Sequence, residues 1–334
     1  MFDYNKIKDL LLKDEKEMSL REALVKRSPP LEQRIKQNPV NERMEALCDE
    51  LKMQNNIQKI LSEMAFLFSI EFILELFRND LESYAASSFY DMGATAPESG
   101  VSSGLRLWSN EIIDLSLVSL PQYDFRAYKS KLKGDRLDSS IIVPAYDTYL
   151  HILSGKQVRL SVYDYKEIGF DTAISGDFCC QNVKKYEIGD GGGIFFHGGR
   201  QGWEIDSIDG PFLALMITIK MCRSPVVAKY SKSTGVLESV SGSDVQSSRV
   251  ELMAILMRTM TDGVTTCEAL SPYIQHRDHY VRWHVAREML AADAKLALPH
   301  VLTLMNDTHP QVAEAAKATL SIIEKGNNKG PIVE

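Results

Sequence analysis

The sequence predicts an α+β chain with a helical N-terminal region, a central antiparallel β unit and a helical C-terminal region. Three observations carry this. Short strand-like runs separated by glycine turns crowd into residues 112–220. Before them, apolar residues recur at helical spacing. After them, a helical pattern repeats.

A chain of 334 residues is long for one compact unit. The composition shifts place boundaries at 1–105, 106–225, 226–263 (a linker and a helix) and 264–330. With 44% hydrophobic and 25% charged residues the composition is that of an ordinary globular protein. A formal net charge of −7 speaks against general affinity for nucleic acid or for an anionic membrane. Met64–Phe77, the most apolar helical run, contains Glu71 and Glu75 and is too short to span a bilayer. Five cysteines without a C-x-x-C pair, and a start that lacks a signal-peptide pattern, read as reduced thiols in a cytoplasmic protein.

Residues 1–28 carry a stripe of Ile7, Leu10, Leu11, Met18, Leu20 and Leu24, and residues 39–86 a clearer one that includes Met44, Leu47, Leu51, Leu61, Met64 and Phe68. Pro29-Pro30 separates them, and Asn38-Pro39 offers a turn before the second. Ala94–Gly104, rich in Gly, Ser and Pro, reads as a loop.

Strands are expected at Ile112–Leu120, Ser140–Val143, Thr148–Leu153, Gln157–Tyr163, Phe178–Val183, Gly193–His197, Trp203–Ile205 and Phe212–Lys220. Ser154-Gly155-Lys156 marks a hairpin. In its second arm Val158, Leu160 and Val162 alternate with Arg159, Ser161 and Tyr163, and the pattern leaves open which set faces inward. So many short strands suggest a sandwich or a jelly-roll barrel.

Residues 112–220 resemble a cupin domain of the RmlC-like kind. The likeness is carried by Gly189-Asp190-Gly191-Gly192-Gly193-Ile194-Phe195-Phe196-His197-Gly198-Gly199, similar to the second cupin motif, and by the hairpin YLHILSGKQVRLSVYD, similar to the stretch after the first histidines of the first motif. The resemblance implies a jelly-roll barrel. It also implies a metal held by a His-x-His pair, a Glu and a later His, yet Ile142–Asp147 and Arg200–Trp203 contain no histidine. The favoured reading is therefore a barrel without a metal cofactor. The alternative is an atypical site of His151, His197 and Glu204 holding Fe, Mn, Ni or Zn for oxygenase or isomerase chemistry. Without a metal, His151, Arg159, Tyr163, His197, Arg200 and Trp203 are candidates for holding a small anionic or aromatic metabolite. A metal-independent enzyme in the same barrel is a further possibility.

Val226-Val227-Ala228 and Val236-Leu237 suggest a hairpin, and Arg249–Met260 a helix capped by Ser247 or Ser248. Val281–Met289 aligns with Val312–Leu320, each preceded by an aspartate (Asp278, Asp307), and residues 264–325 resemble HEAT repeats. The spacing His276-x2-His279-x4-His284 is better suited to exposed or capping histidines than to a metal. Arg282, Trp283, His284 and Arg287 form a candidate patch for a protein partner, since Trp and Arg are common interface anchors.

No phosphate loop, nucleophile elbow or zinc-protease motif appears, so no catalytic residue is assigned. The expected function is an interaction or regulatory protein that contacts another protein or a small metabolite. A homodimer through the N-terminal helices or the barrel edge is the expected assembly.

Overall fold

A computed structural model describes residues 29–53, 56–86, 98–99, 102–120, 140–174 and 178–327. The helix expected over 1–28 lies outside the described residues. The single helical run expected at 39–86 is three helices, α2 (Val40–Lys52), α3 (Ile57–Phe66) and α4 (Ile70–Ala86), preceded by a short α1 (Leu31–Lys36). Asn56, at φ 58°, turns the chain into α3.

Among the described residues twelve strands follow: β1 (Glu98–Ser99), β2 (Ser102–Ser109), β3 (Ile113–Leu120), β4 (Ser140–Val143), β5 (Tyr146–Ser154), β6 (Gln157–Tyr165), β7 (Cys180–Gly189), β8 (Gly193–Phe196), β9 (Gln201–Ile208), β10 (Phe212–Cys222), β11 (Val226–Ser231) and β12 (Leu237–Gly242). β1 and β2 replace part of the loop expected at Ala94–Gly104. The segment is small and polar, but β2 pairs with β3 from Ser103↔Ser119 onward, and a bulge near Arg106 turns both Leu107 and Trp108 into the core. Trp108 Nε1 donates to Asn41 Oδ1 at 2.8 Å, fastening α2 to this strand.

All the pairings are antiparallel, in three sheets: β1-β2-β3-β10-β5-β8, β12-β11-β4 and β7-β6-β9. Among the described residues no ladder joins the six-stranded sheet to the other two, so the expected closed barrel is a layered sandwich here. The expected hairpin after Cys222 is β11–β12, and β11 pairs with β4, which carries the β region on to Gly242.

Alternation on the six-stranded sheet sorts its residues between two cores. Leu215, Ile217 and Tyr149 face α1–α4, whereas Ala214, Leu150 and Ile152 face the β7-β6-β9 sheet. There they meet Val158, Leu160 and Val162 with Ile194, Phe196, Ile205 and Phe212. The interior is thus filled by aliphatic and aromatic side chains. A separate cluster joins β4 and β11 to Tyr163, Tyr165, Ile168 and Phe178, with Tyr165 stacked on Tyr230 at 3.8 Å. β4 runs beside β9 without sharing a ladder, and the missing side chain of Gly202 makes this possible: a Cβ would lie 2.4 Å from Ile141 Cγ2.

The C-terminal helices are α5 (Val245–Met260), α6 (Gly263–Leu270), a 3₁₀ turn (Ser271–Gln275), α7 (His279–Ala292), α8 (Ala294–Leu304) and α9 (Pro310–Asn327). α5 begins earlier than expected because Asp244, not Ser247 or Ser248, caps it, accepting from the Gln246 amide at 3.0 Å. α7 packs on α5 to one side and on α9 to the other, with α6 and α8 in a second layer. Their shared core includes Val281, Val285, Met289, Val301 and Ala316. The stack touches the β region where His309 Nε2 lies 3.1 Å from Thr172 O and Gln311 donates to Ile174 O at 3.1 Å. No helix among the described residues is long and apolar enough to cross a membrane.

Candidate functional site

The residues expected to converge inside a barrel do not converge. β5 is buried on both faces, and His151 lies on the face turned to the helices. There it meets Phe66 edge to face at 5.2 Å and lines a cleft of ≈ 180 Å³ against α3 and α4. Burial lowers its pKa, and its Nδ1 has no hydrogen-bond partner among the described residues. His197 follows β8 in an exposed turn, its ring against Phe195 on the same helix-facing side. His197 lies four residue steps beyond Gly193, which pairs with His151, so roughly 13 Å of extended chain offsets the two histidines along the sheet.

Glu204 stands on the outside of the other sheet, accepting from Tyr163 Oη at 2.9 Å and paired with Lys232. The proposed triad of His151, His197 and Glu204 is therefore split across the sandwich, and no group of three metal-ligating side chains occurs among the described residues. Cupin-type ligation needs such convergence.

The remaining barrel candidates separate in the same way. Val158, Leu160 and Val162 face the six-stranded sheet, leaving Arg159, Ser161 and Tyr163 on the opposite face, where Arg159 is exposed but Ser161 and Tyr163 are buried. Arg159 is exposed and held by Glu187 at 2.8 Å and Asp209 at 3.2 Å. Ser161 donates to Asp206 at 2.7 Å. Burial, then the bond to Glu204, raises the Tyr163 pKa. Arg200 is exposed in a turn, whereas Trp203 stacks on Phe196 at 4.9 Å within the core. Of the six, Trp203 packs against the core between the two sheets, Tyr163 lies in the cluster with β4 and β11, and His151 is buried on the helix-facing side. These positions do not build one small-molecule site.

The C-terminal candidates fare differently. α7 displays Tyr280, Trp283, His284 and Arg287 at i, i+3, i+4 and i+7, one face of a helix. With Glu251 of α5, and Gln311 and Val312 of α9, they line a cleft of ≈ 340 Å³. Trp283 is half-buried: part of it packs on the helical core and the rest forms a cleft wall. Arg287 is exposed and has no hydrogen-bond or ion-pair partner among the described residues. His284 sits between two carboxylates, Glu251 and Glu288, each 4.0 Å away, and its Nε2 is buried without a hydrogen bond among the described residues.

Behind this wall lies His279, stacked face to face on His309 at 3.7 Å and 3°. Burial, then the neighbouring His309 and Arg282, push its pKa down to about 4, so it is neutral near pH 7. Tyr280 is pushed up by burial and by Asp278.

Arg282 does not belong to this face. It is buried, donating to both oxygens of Asp307 at 2.7 and 2.6 Å and to the carbonyls of His276 and Arg277 at 2.8 and 3.1 Å. It staples the turn before α7 to the turn before α9, and its fork geometry suits that task. This corrects its assignment to a partner-binding patch. His276 is a turn residue, its Nδ1 accepting from the Asp278 amide at 3.1 Å.

Glu251, His279, Tyr280, Gln311 and Val312 complete the cleft; the sequence marks His279 only as an exposed or capping histidine and Val312 only as a repeat position, and does not single out the other three. Tyr280 is within reach of such reasoning, since it shares the helical spacing of Trp283 and Arg287. Gln311 and Glu251 come from other helices and carry no local signal.

No family model matches the chain, and no curated protein matches it. Among solved structures it is similar to the cupin domain of Cnp3 from Schizosaccharomyces pombe (8% identity over 37% of this chain and 67% of that one, TM-score 0.23). It is likewise similar to a cupin superfamily protein from Desulfitobacterium hafniense (14% identity, 37% and 81%, TM-score 0.21). A third is an RmlC-like cupin from Shewanella frigidimarina (6% identity, 38% and 83%, TM-score 0.22). TM-scores this low assign the chain neither an activity nor a ligand.

Proposed function

We propose that the chain is an interaction or regulatory protein whose cupin-like sandwich is a scaffold and whose HEAT-like helices hold a partner protein. The observation that carries this is the cleft on α7, which presents an Arg287 without a partner among the described residues beside a half-buried Trp283. An exposed guanidinium next to an aromatic wall fits a carboxylate flanked by an apolar or aromatic side chain. The volume of ≈ 340 Å³ is at the low end for ligand pockets and suits one or two side chains of a peptide segment. The filled interior of the sandwich supports its role as scaffold, and the separation of His151, His197 and Glu204 favours it over the metal-dependent alternative built on them.

The test is selection of peptides from a random display library on the purified full chain, followed by titration of the enriched peptides against Trp283→Ala and Arg287→Ala variants. Enrichment of Asp or Glu beside apolar residues is expected, with affinity falling at least tenfold in each variant, about 1.4 kcal/mol. Peptides that lack acidic residues, or that bind both variants as tightly as the parent, would refute the reading.

A further inference from the structure

α5 presents an apolar face that nothing among the described residues covers. Its inner side, with Ser247, Val250 and Ala254, packs toward α7. On the opposite side Val245, Leu252, Met253, Leu256 and Met260 recur at helical spacing, and each leaves between 39% and 77% of its surface in water. Val264 at the start of α6 extends the stripe. Together these side chains expose on the order of 600 Å² of apolar surface, the upper end of what a monomer tolerates in one patch. A standard-size interface buries about 800 Å² per partner, and the stem of Arg249 with its polar neighbours accounts for the difference.

We propose that this face pairs with the same face of a second copy, forming a two-fold symmetric dimer with the two α5 helices antiparallel. Three features favour a copy of the chain as the occupant. α5 is the terminal member of the α9–α7–α5 layer, and stacked helical units need a polar cap or a neighbour at their ends. A second copy offers the same uncapped end, so pairing continues the layer through the symmetry axis. The stripe also has complementary ends: Arg249 is exposed near its start and Asp262 just beyond its finish. An antiparallel pairing about Met253 and Leu256 sets each Arg249 opposite Met260 of the copy, two residues from Asp262, whose carboxylate also caps α6. This surface lies on the side of α5 away from the cleft, so the dimer and the proposed peptide site stand or fall independently.

Sedimentation equilibrium of the full chain, beside a Leu252→Glu/Met253→Glu double variant, tests the proposal. The parent is expected to be a dimer at micromolar concentration and the variant a monomer, with association weakened at least 100-fold. Both substituted positions are exposed, so the far-UV circular dichroism of the variant should match the parent. In a Cys179→Ser background, Met253→Cys should form a disulfide-linked dimer on mild oxidation, whereas Ile322→Cys, exposed on α9, should not. A monomeric parent overturns the proposal, whether the face is then covered by residues 1–28 or by a different protein. A dimer that survives the double substitution, or cross-links equally through position 322, overturns it too.

Discussion

Arg282→Met separates a structural arginine from a binding one. The guanidinium makes four hydrogen bonds, two to Asp307 and two to backbone carbonyls, in a site where the two side chains retain 11% and 5% of their exposure. Methionine keeps the stem but leaves the Asp307 carboxylate buried without a counter-charge. Breaking a buried pair from one side costs about 3–5 kcal/mol. Burial opposes ionisation of Asp307, but the hydrogen bonds from Arg282 and from the His309 amide outweigh it and hold the carboxyl below its usual range. In the parent this contribution is present above the ordinary carboxylate pKa and lost as pH falls through the lower folded value.

In the variant, burial acts with far less opposition and lifts the folded pKa, so the variant loses stability as pH rises through that value. The penalty is therefore larger at pH 7 than at pH 4. Adding Asp307→Asn keeps an acceptor for the His309 amide, which Asp307 now receives at 2.8 Å, while removing the buried charge. It should restore about 2 kcal/mol of the loss. Urea-dependent hydrogen exchange, corrected for intrinsic rates and read on peptides from α7 and α9, measures these differences. A loss below about 1 kcal/mol at pH 7, or one equally large at pH 4, would show that Arg282 is not the staple described.

Two further outcomes are expected. His279, with its pKa held near 4, favours the neutral fold, so its contribution is complete above pH 6.5 and lost as pH falls toward 4. Between pH 7 and pH 5 the parent should lose about 2 kcal/mol through this group, and a His279→Phe variant, which keeps a ring against His309, should show a flatter profile in urea titrations; parallel profiles would sink the assignment. Gly198→Ala should cost about 3 kcal/mol or more, because the new Cβ would stand 2.4 Å from the backbone of Tyr146, which cannot yield. Gly191→Ala meets no atom within 4 Å and should cost only the 1–2 kcal/mol of a left-handed residue at φ +78°. Equal shifts in thermal midpoint for the two would contradict the packing described.

Strands are legible in the sequence where one face is buried and the other is wet. Val158, Leu160 and Val162 alternate with Arg159 in the sequence and in the structure, although the pattern alone does not say which set is inside. β5 hides that information completely: both of its faces are buried, so nothing in Tyr146–Ser154 distinguishes the helix-facing His151 from a cavity-facing one. β2 escapes detection because Ser102-Ser103-Gly104 has loop chemistry, and only its partner β3 makes it a strand. On α7 the spacing collects Trp283, His284 and Arg287 correctly on one face. Arg282 is misplaced by the same spacing because α7 is packed by α5, α6, α8 and α9, which leaves almost no solvated side for a polar residue to mark. The cleft walls on α5 and α9 depend on chain returning from about 30 residues away, which local spacing does not encode.

The neighbouring but unlaced strands β4 and β9 give the β region a spine of unequal strength. Elsewhere, parting two strands means breaking a row of backbone hydrogen bonds in concert. Along this line it means lifting Ile141 off Gly202 and unstacking Tyr165 from Tyr230. The β12-β11-β4 leaf can therefore part from β9 while both flanking ladders stay intact, pivoting on its far side, where the Cys179–Val236 bridge and the bonds from Leu237 N to Phe178 O and from Cys180 N to Gly235 O tie it to the start of β7. A partial opening of that kind would wet Tyr163 and Phe178 before it wets Leu160, so the earliest sites of exchange or protease attack in the β region should follow this edge.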